Sequence, residues 1–135
     1  MFKKLRKNEK GFTLAELLIV VAIIGVLVAI SIPIFTSQLE KAREATDLAN
    51  IRAAYAECSA AVLTEESTGN ATYATDGSAS EDVDLHQKNA GWTESNEEAK
   101  IGNLVAKTDF NFAEGNTKAT VKIDKDGTLT ITMSK

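Results

Sequence analysis

The sequence predicts an α+β protein in which one long N-terminal helix packs against a small antiparallel sheet. A helical pattern runs from residue 12 to about residue 66, apolar on all sides in its first half and amphipathic in its second. Near the C-terminus, two short segments alternate apolar and polar residues on either side of an Asp-Gly turn, which indicates a β-hairpin. A chain of 135 residues is expected to hold one core.

The first half of the helix is a nearly continuous apolar stretch at residues 12–35, interrupted by Thr13, Glu16, Ser31 and Pro33. At about 1.5 Å per residue it would span roughly 36 Å, against about 30 Å of hydrocarbon in a bilayer. A basic cluster precedes it and would keep the N-terminus on the cytoplasmic side, so the rest of the chain would lie outside the cell. The cluster consists of Lys3, Lys4, Arg6, Lys7 and Lys10.

The second half of the helix, residues 36–66, contains no Gly or Pro and is rich in residues that favour helices. An apolar stripe recurs along it at spacings of three and four, and we expect this stripe to pack against the head. The stripe consists of Leu48, Ile51, Tyr55, Cys58 and Val62. Charged residues, among them Glu40, Glu44 and Asp47, occupy largely other angles, and Gly69 is expected to end the helix.

The remaining residues, 67–135, are expected to form the head. Residues 67–93 are polar and predict a surface loop with one short strand. A capping-box pattern at 95–98 precedes apolar residues at helical spacing and predicts a short second helix. Residues 119–123 and 129–133 alternate as strands, and the segment between them supplies the turn, so two or three antiparallel strands should cover the amphipathic half of the long helix.

Composition argues against several classes of function. The chain carries a net charge of −4, and about −8 without its basic start, which disfavours nucleic-acid binding. With one cysteine and one histidine, no nucleophile with a base and no metal cluster can be assembled, so we predict neither an enzyme nor a cofactor or metal site. Cys58 is interpreted as a small buried residue. Glu81, Asp82, Asp84 and His86 are interpreted as a solvated acidic patch in preference to a cation site.

Residues 10–16, Lys-Gly-Phe-Thr-Leu-Ala-Glu, followed by an apolar run to Ile30, resemble the prepilin cleavage and assembly motif of type IV pilins and their relatives in type II secretion. The resemblance implies the pilin fold, removal of residues 1–11 as a leader by a prepilin peptidase that cuts after Gly11, and methylation of Phe12 as the new first residue. It also implies a helical filament of identical subunits, assembled by a platform protein and an ATPase, that serves adhesion, twitching motility or biofilm formation.

Glu16 has two interpretations. A carboxylate in an apolar membrane helix costs roughly 2.5–3.5 kcal/mol unless it is paired, and the resemblance implies that it pairs with the amine of Phe12 in a neighbouring subunit. Thr13 to Glu16 also fits a capping box, in which Glu16 only satisfies the start of the helix. For Gly25 and Pro33 the resemblance implies a stretch that loses helix in the filament, and the alternative is a fixed kink.

Other identities share parts of this pattern. A minor pilin, or a pseudopilin of a secretion or competence system, would have the same N-terminus. An ordinary secreted protein would have a signal peptide that ends at Ser31, but Glu16 in its apolar region speaks against this. Many Gram-negative pilins close a C-terminal loop with a disulfide, which a chain with the single cysteine Cys58 does not, and this points to a Gram-positive major pilin. The expected locations are the cell membrane for the precursor and a surface pilus for the mature subunit.

Overall fold

The computed structural model describes residues 11–135, in which a long helix precedes a head of short strands. The chain divides into two compact units, one up to Ser37 and one from Gln38 onward. The elements are α1 (Leu14–Thr64), β1 (Thr72–Tyr73), β2 (Ala79–Asp84), β3 (Lys100–Ile101), β4 (Leu104–Val105), α2 (Ala106–Asp109), β5 (Lys118–Ile123) and β6 (Leu129–Ser134). The predicted α+β class, with a long helix packed against a small antiparallel sheet, is confirmed.

The main sheet has the strand order β1-β2-β5-β6, and every neighbouring pair is antiparallel. The predicted C-terminal hairpin is confirmed, with Val121 of β5 opposite Ile131 of β6. Its turn is closed by a bond of 2.8 Å from the N–H of Gly127 to the carbonyl of Asp124. Gly127 has a φ of 84°, which a residue with a Cβ rarely adopts, so the glycine is required at this turn.

The core lies between the second half of α1 and one face of this sheet. Ile51, Ala54 and Cys58 are fully buried on the helix, and Tyr55 and Val62 pack partly buried against the same cluster. Trp92 meets Phe110 edge to face, with ring centroids 5.9 Å apart, and extends the apolar cluster into the loops. The sheet contributes the buried residues Ala79, Val83, Ala119, Val121, Ile123, Leu129 and Ile131.

Helix α1 ends earlier than the sequence pattern predicts, at Thr64 and not at residue 66. Glu65 takes the left-handed conformation, with a φ of 57°, and the N–H of Glu66 bonds to the carbonyl of Ala61 at 3.3 Å. This six-to-one bond is the Schellman arrangement that closes many helices, but here a glutamate occupies the position that glycine usually takes. The prediction that Gly69 ends the helix was therefore wrong, because the helix has already stopped.

The middle of the head also differs from its prediction. Residues 67–93 were expected to be mainly loop, but they contain β1 and the six-residue strand β2, which lies inside the sheet. The helix predicted after Ser95 is wrong, because these residues form turns and then the hairpin of β3 and β4 around Gly102. Gly102 has a φ of 60°, which favours that turn over a helix. The short helix α2 follows at Ala106–Asp109.

Cys58 should not react with thiol reagents while the head is folded. Its Sγ lies 3.7 Å from the carbonyl oxygen of Val121, and burial, followed by the charges of Glu81 and Glu57, raises its pKa to about 11. At about pH 8 only about one thiol in a thousand would then be ionised. We expect a thiol reagent to leave native protein unlabelled and to label it fully in denaturant, with mass spectrometry as the readout. Rapid labelling of the native chain would contradict this burial.

Candidate functional site

The start of α1 brings Thr13 and Glu16 together in a capping box. The N–H of Thr13 donates to Oε2 of Glu16 at 2.8 Å, and the N–H of Glu16 donates to Oγ1 of Thr13 at 3.2 Å. Gly11 and Phe12 precede the helix, and Phe12 is 79% exposed. The basic cluster from Lys3 to Lys10 lies outside the described residues. The capping interpretation of Glu16 is thus realised in the single chain, and it engages one of the two carboxylate oxygens.

The first half of α1 presents an apolar surface that no part of its own unit covers. Among the described residues, α1 is the one helix long and apolar enough to cross a membrane, and none of its most apolar window is buried. We call this the apolar rod surface. Its large side chains are Phe12, Leu14, Leu17, Leu18, Ile19, Val20, Val21, Ile23, Ile24, Val26, Leu27, Val28, Ile30, Ile32, Ile34 and Phe35, all 46% exposed or more.

Pro33 and Gly25 both lie within α1. Near the proline, Oγ1 of Thr36 donates to the carbonyl of Pro33 at 3.0 Å, and Oγ of Ser31 donates to the carbonyl of Leu27 at 2.7 Å. These side-chain bonds compete with the backbone ladder and often accompany a bent or weakened helix. The residue types that soften a helix are therefore gathered between Gly25 and Thr36.

On the head side of α1, the buried carboxylate of Asp47 holds the chain that leaves β2. It accepts the backbone N–H of His86 at 2.9 Å and that of Gln87 at 2.8 Å. Nδ1 of His86 lies 2.9 Å from the same carboxylate, which forms an ion pair when the ring is protonated. Asp47 is fully buried, so these bonds replace all of its water.

Glu44 and Glu40, about one and two turns before Asp47, continue this pattern. Oε1 of Glu40 accepts the N–H groups of Lys88 and Asn89 at 2.7 and 2.8 Å. Oε2 of Glu44 accepts the N–H of Thr93 at 2.9 Å, the hydroxyl of Thr93 at 2.7 Å and an amide N–H of Asn96 at 3.0 Å. We call Glu40, Glu44 and Asp47 the carboxylate ladder, and residues 86–96 the anchored loop.

Its hydrogen bonds and a neighbouring guanidinium favour the charged form of Glu40. Burial of Glu40 opposes its ionisation, but the N–H groups of Asn89 and Lys88 and the guanidinium of Arg43 together lower its pKa below the ordinary value. Arg43 lies 3.3 Å from the Glu40 carboxylate. Glu40 thus acts as an anionic acceptor for the backbone N–H groups of Lys88 and Asn89.

Sequence reasoning missed the ladder because it grouped these acids with the charges away from the head. Positions 40, 44, 47, 51, 54, 58 and 61 are all buried and follow each other by threes and fours, so the acids continue the face of Ile51 and Cys58. The available signal was this spacing, extended backwards from the apolar stripe. A periodicity argument that counts only apolar residues cannot detect it.

The acidic residues from Glu81 to Asp84, and His86 after them, differ in exposure and in contacts. Asp82 is exposed and accepts the hydroxyl of Thr120 at 2.7 Å, while His86 contacts Asp47. Glu81 is only partly exposed and lies between the buried residues Ala79 and Val83. Across the described residues, no group of three or more His, Cys, Asp or Glu is arranged to hold a metal ion. These acids therefore lie on a strand and not in a surface loop. Asp82 and Asp84 are on its exposed face, and Glu81 is on its inner face.

Comparison with known proteins identifies the N-terminal segment. Residues 6–32 match the family model described as the prokaryotic N-terminal methylation motif. A fimbrial protein EcpB of Eikenella corrodens is 54% identical over 36 residues, which are 27% of this chain and 23% of that protein. The type IV narrow pilus major component PilA5 of Thermus thermophilus is 48% identical over 52 residues, 36% of this chain and 45% of its own.

A third relative, the type IV major pilin protein PilA of Myxococcus xanthus, is 46% identical over 48 residues, 36% of this chain and 22% of that pilin. The chain therefore matches less than half the length of each of these relatives. No solved structure matches the chain. The family model includes most of the apolar rod surface, and each of these matches leaves the greater part of the chain unmatched.

Replacing Asp47 by alanine tests the carboxylate ladder. The N–H groups of His86 and Gln87 would lose their acceptor inside the protein, and we expect a loss of roughly 3 kcal/mol in the free energy of unfolding. The exposed neighbour Thr46 is the matched control, and Thr46→Ala should change stability by less than about 0.5 kcal/mol. Urea unfolding followed through Trp92 fluorescence measures both. Equal stability of the two variants would show that the anchored loop does not depend on Asp47.

Proposed function

Through its N-terminal segment this chain belongs to the type IV pilin family, and we propose that it is a structural subunit of a type IV pilus. The observation that carries the proposal is the apolar rod surface, most of which lies within the matched methylation motif. Fully burying one such side chain is worth roughly 1.5–3 kcal/mol, and this surface has sixteen of them. A surface of this kind requires lipid or the helices of identical subunits around it.

Processing begins at the bond between Gly11 and Phe12. Prepilin peptidase would cut there and remove the leader with its basic cluster, after which the amine of Phe12 is methylated. The bond lies before the first residue of α1, and both flanking residues are exposed, so a peptidase could bind it without unwinding a helix. Removal of the leader would also discard the charges that hold the precursor in the membrane.

Residues 12–35 would anchor the precursor as a single membrane span, with the head outside the cell. Lipid chains are about as apolar as leucine, so transfer of this helix from lipid to a bundle of identical helices changes apolar burial little. Packing and polar pairs must then decide assembly. In this segment the ionisable side chain is Glu16, and its position therefore determines how an incoming subunit aligns.

Glu16 would first cap the helix and would later pair with an amine. In the single chain its Oε2 accepts the N–H of Thr13, which begins the helix. Once the leader is removed, the amine of Phe12 carries a positive charge, and Glu16 of an incoming subunit would pair with that amine in a neighbour. Pairing removes two isolated charges from the apolar interior of the filament, where each is costly.

The stretch from Gly25 to Pro33 would supply extension in the filament. Proline lacks the N–H that the helix ladder needs, and glycine costs about 1 kcal/mol relative to alanine within a helix. Ser31 and Thr36, which bond to backbone carbonyls around the proline, support the proposal of a softened segment. A membrane platform protein and an assembly ATPase would add and, where retraction occurs, remove subunits.

Two alternatives carry less support. Two of the relatives above are named major pilus components or major pilins, and we extend that role to this chain in preference to a minor pilin or pseudopilin. A signal peptide ending at Ser31 would be cut inside a continuous helix, at a residue whose hydroxyl bonds to Leu27. Adhesion, twitching motility or biofilm formation on a Gram-positive surface stays the predicted biological role.

The proposal predicts the N-terminus of the surface protein. Mass spectrometry of the N-terminal peptide, taken from filaments sheared off the producing cells, should show a chain that begins at methylated Phe12. The same culture of a strain without prepilin peptidase is the control and should retain the leader and release no filaments. A chain that begins at Ile32 would replace the pilin proposal with an ordinary secreted protein.

The Glu16→Gln variant separates charge pairing from helix capping. Glutamine still accepts the N–H of Thr13, as in other capping boxes, but it carries no charge to pair with an amine. We expect processed protein that stays in the membrane and a loss of filaments of tenfold or more, counted by electron microscopy against the wild type. The control Thr13→Ala weakens the cap and keeps the charge, so it should assemble. Filaments in normal number from Glu16→Gln would leave capping as the sole role.

A further inference from the structure

Glu81 occupies a position on β2 where an apolar residue would be expected. Side chains alternate along a strand, and the neighbours of Glu81 on the same face, Ala79 and Val83, are buried against α1. Its partner across the ladder, Val121, is also buried. Oε2 of Glu81 is inaccessible to solvent and has no hydrogen-bond partner among the described residues. A carboxylate is thus directed at the helix with one oxygen unsatisfied.

The helix brings a second carboxylate, that of Glu57, into the same surface cleft as Glu81. Oε2 of Glu57 accepts the N–H of Asn70 at 2.7 Å, and a Cβ at Gly69 would collide with the Glu57 carboxyl group. The loop after α1 therefore holds Glu57 in place, in the cleft that it shares with Glu81. Gly69, which the sequence pattern assigned to the end of the helix, is needed here for the close approach of this carboxyl group.

The surroundings supply no cation to separate the two charges. The two carboxyl groups line a surface cleft of about 350 Å³ with Asn50, Asn70, Asp84 and His86. Among the described residues that line it there is no Lys or Arg, and His86 contacts Asp47 on the helix. The thiol of Cys58, behind the pair, is neutral. From β5, the facing residue is the apolar Val121.

We propose that Glu57 and Glu81 share one proton, and that this carboxyl pair is a pH-sensitive lock between α1 and β2. With the proton present, the buried oxygen of Glu81 becomes a donor to Glu57, which removes both its missing partner and the repulsion between the charges. Without the proton, two carboxylates face each other at the contact between helix and sheet. The lock is closed while the proton is bound and opens as the proton leaves.

The sign of the effect on stability follows from the proton affinity of the folded chain. Burial, followed by the charge of Glu57 and the hydrogen bond with it, raises the pKa of Glu81 above its ordinary value, against an opposing contribution from Asn70. The folded chain therefore holds this proton more tightly than the unfolded chain. The stabilisation is complete below the unfolded pKa and is lost as the pH rises through the folded pKa. This inference concerns the head alone and does not depend on the proposed pilus function.

Glu81→Gln in the full chain, purified in detergent, tests the lock. The amide of glutamine donates to Glu57 at any pH, so the variant should lose the dependence that a shared proton creates. Thermal unfolding is followed through Trp92 from about pH 5 to about pH 8, where the wild-type midpoint should fall by roughly 5 °C for each tenfold preference of the folded chain for the proton. The Glu81→Gln midpoint should fall less and exceed that of the wild type at about pH 8.

Three further measurements decide the interpretation. Asp82→Asn, on the outward face of the same strand, should keep the full wild-type dependence. The infrared band of a protonated carboxyl group should persist to higher pH in the wild type than in Glu81→Gln. Equal pH dependence in wild type and Glu81→Gln would overturn the proposal. So would a rescue by calcium at about pH 8 that Glu81→Gln abolishes, because the pair would then bind a metal ion and not a proton.

Discussion

The carboxylate ladder is the interaction on which the architecture of the head depends. Burial of an ionised carboxylate costs several kcal/mol, and an N–H group buried without an acceptor costs a further 1–3 kcal/mol, so neither side of the contact is stable alone. Asp47 resolves both costs at once with His86 and Gln87, and Glu40 does so with Lys88 and Asn89. A loop without regular secondary structure thus acquires a defined path, because its backbone donors match acceptors spaced along a helix.

The apolar parts of the fold could be predicted from the sequence, and the polar contacts between distant residues could not. The long helix, the C-terminal hairpin and the packing of one against the other follow from periodicity and turn residues, which report burial directly. Asp47 is buried, and Glu81 partly buried, for a reason that lies elsewhere in the chain. Asp47 bonds to His86, and Glu81 shares a cleft with Glu57. A local pattern records an acid as solvated, and only the tertiary structure shows the partner.

In the candidate site, too, a contact between near neighbours was predictable and a contact between distant residues was not. The capping box of Thr13 and Glu16 is a contact between residues three positions apart, and the sequence therefore predicted it. The helix ends at a left-handed Glu65, and glutamate gives no sequence signal for that conformation. The helix was therefore predicted to reach residue 66 and to end through Gly69. Gly69 instead serves Glu57, through a close approach that cannot be read from spacing.

Helix α1 is consequently supported by different means along its length. Up to Ser37 its backbone is held by its own hydrogen bonds, with Pro33 removing one donor, and its side chains contribute no buried packing. From Glu40 onward, the ladder requires acceptors at positions 40, 44 and 47, a spacing that exists only while the backbone stays helical. Loss of helix near Gly25 to Pro33 would cost little beyond local backbone bonds. Its spread past Glu40 would break the bonds to the anchored loop as well, so the ladder limits any softening to the segment that precedes it.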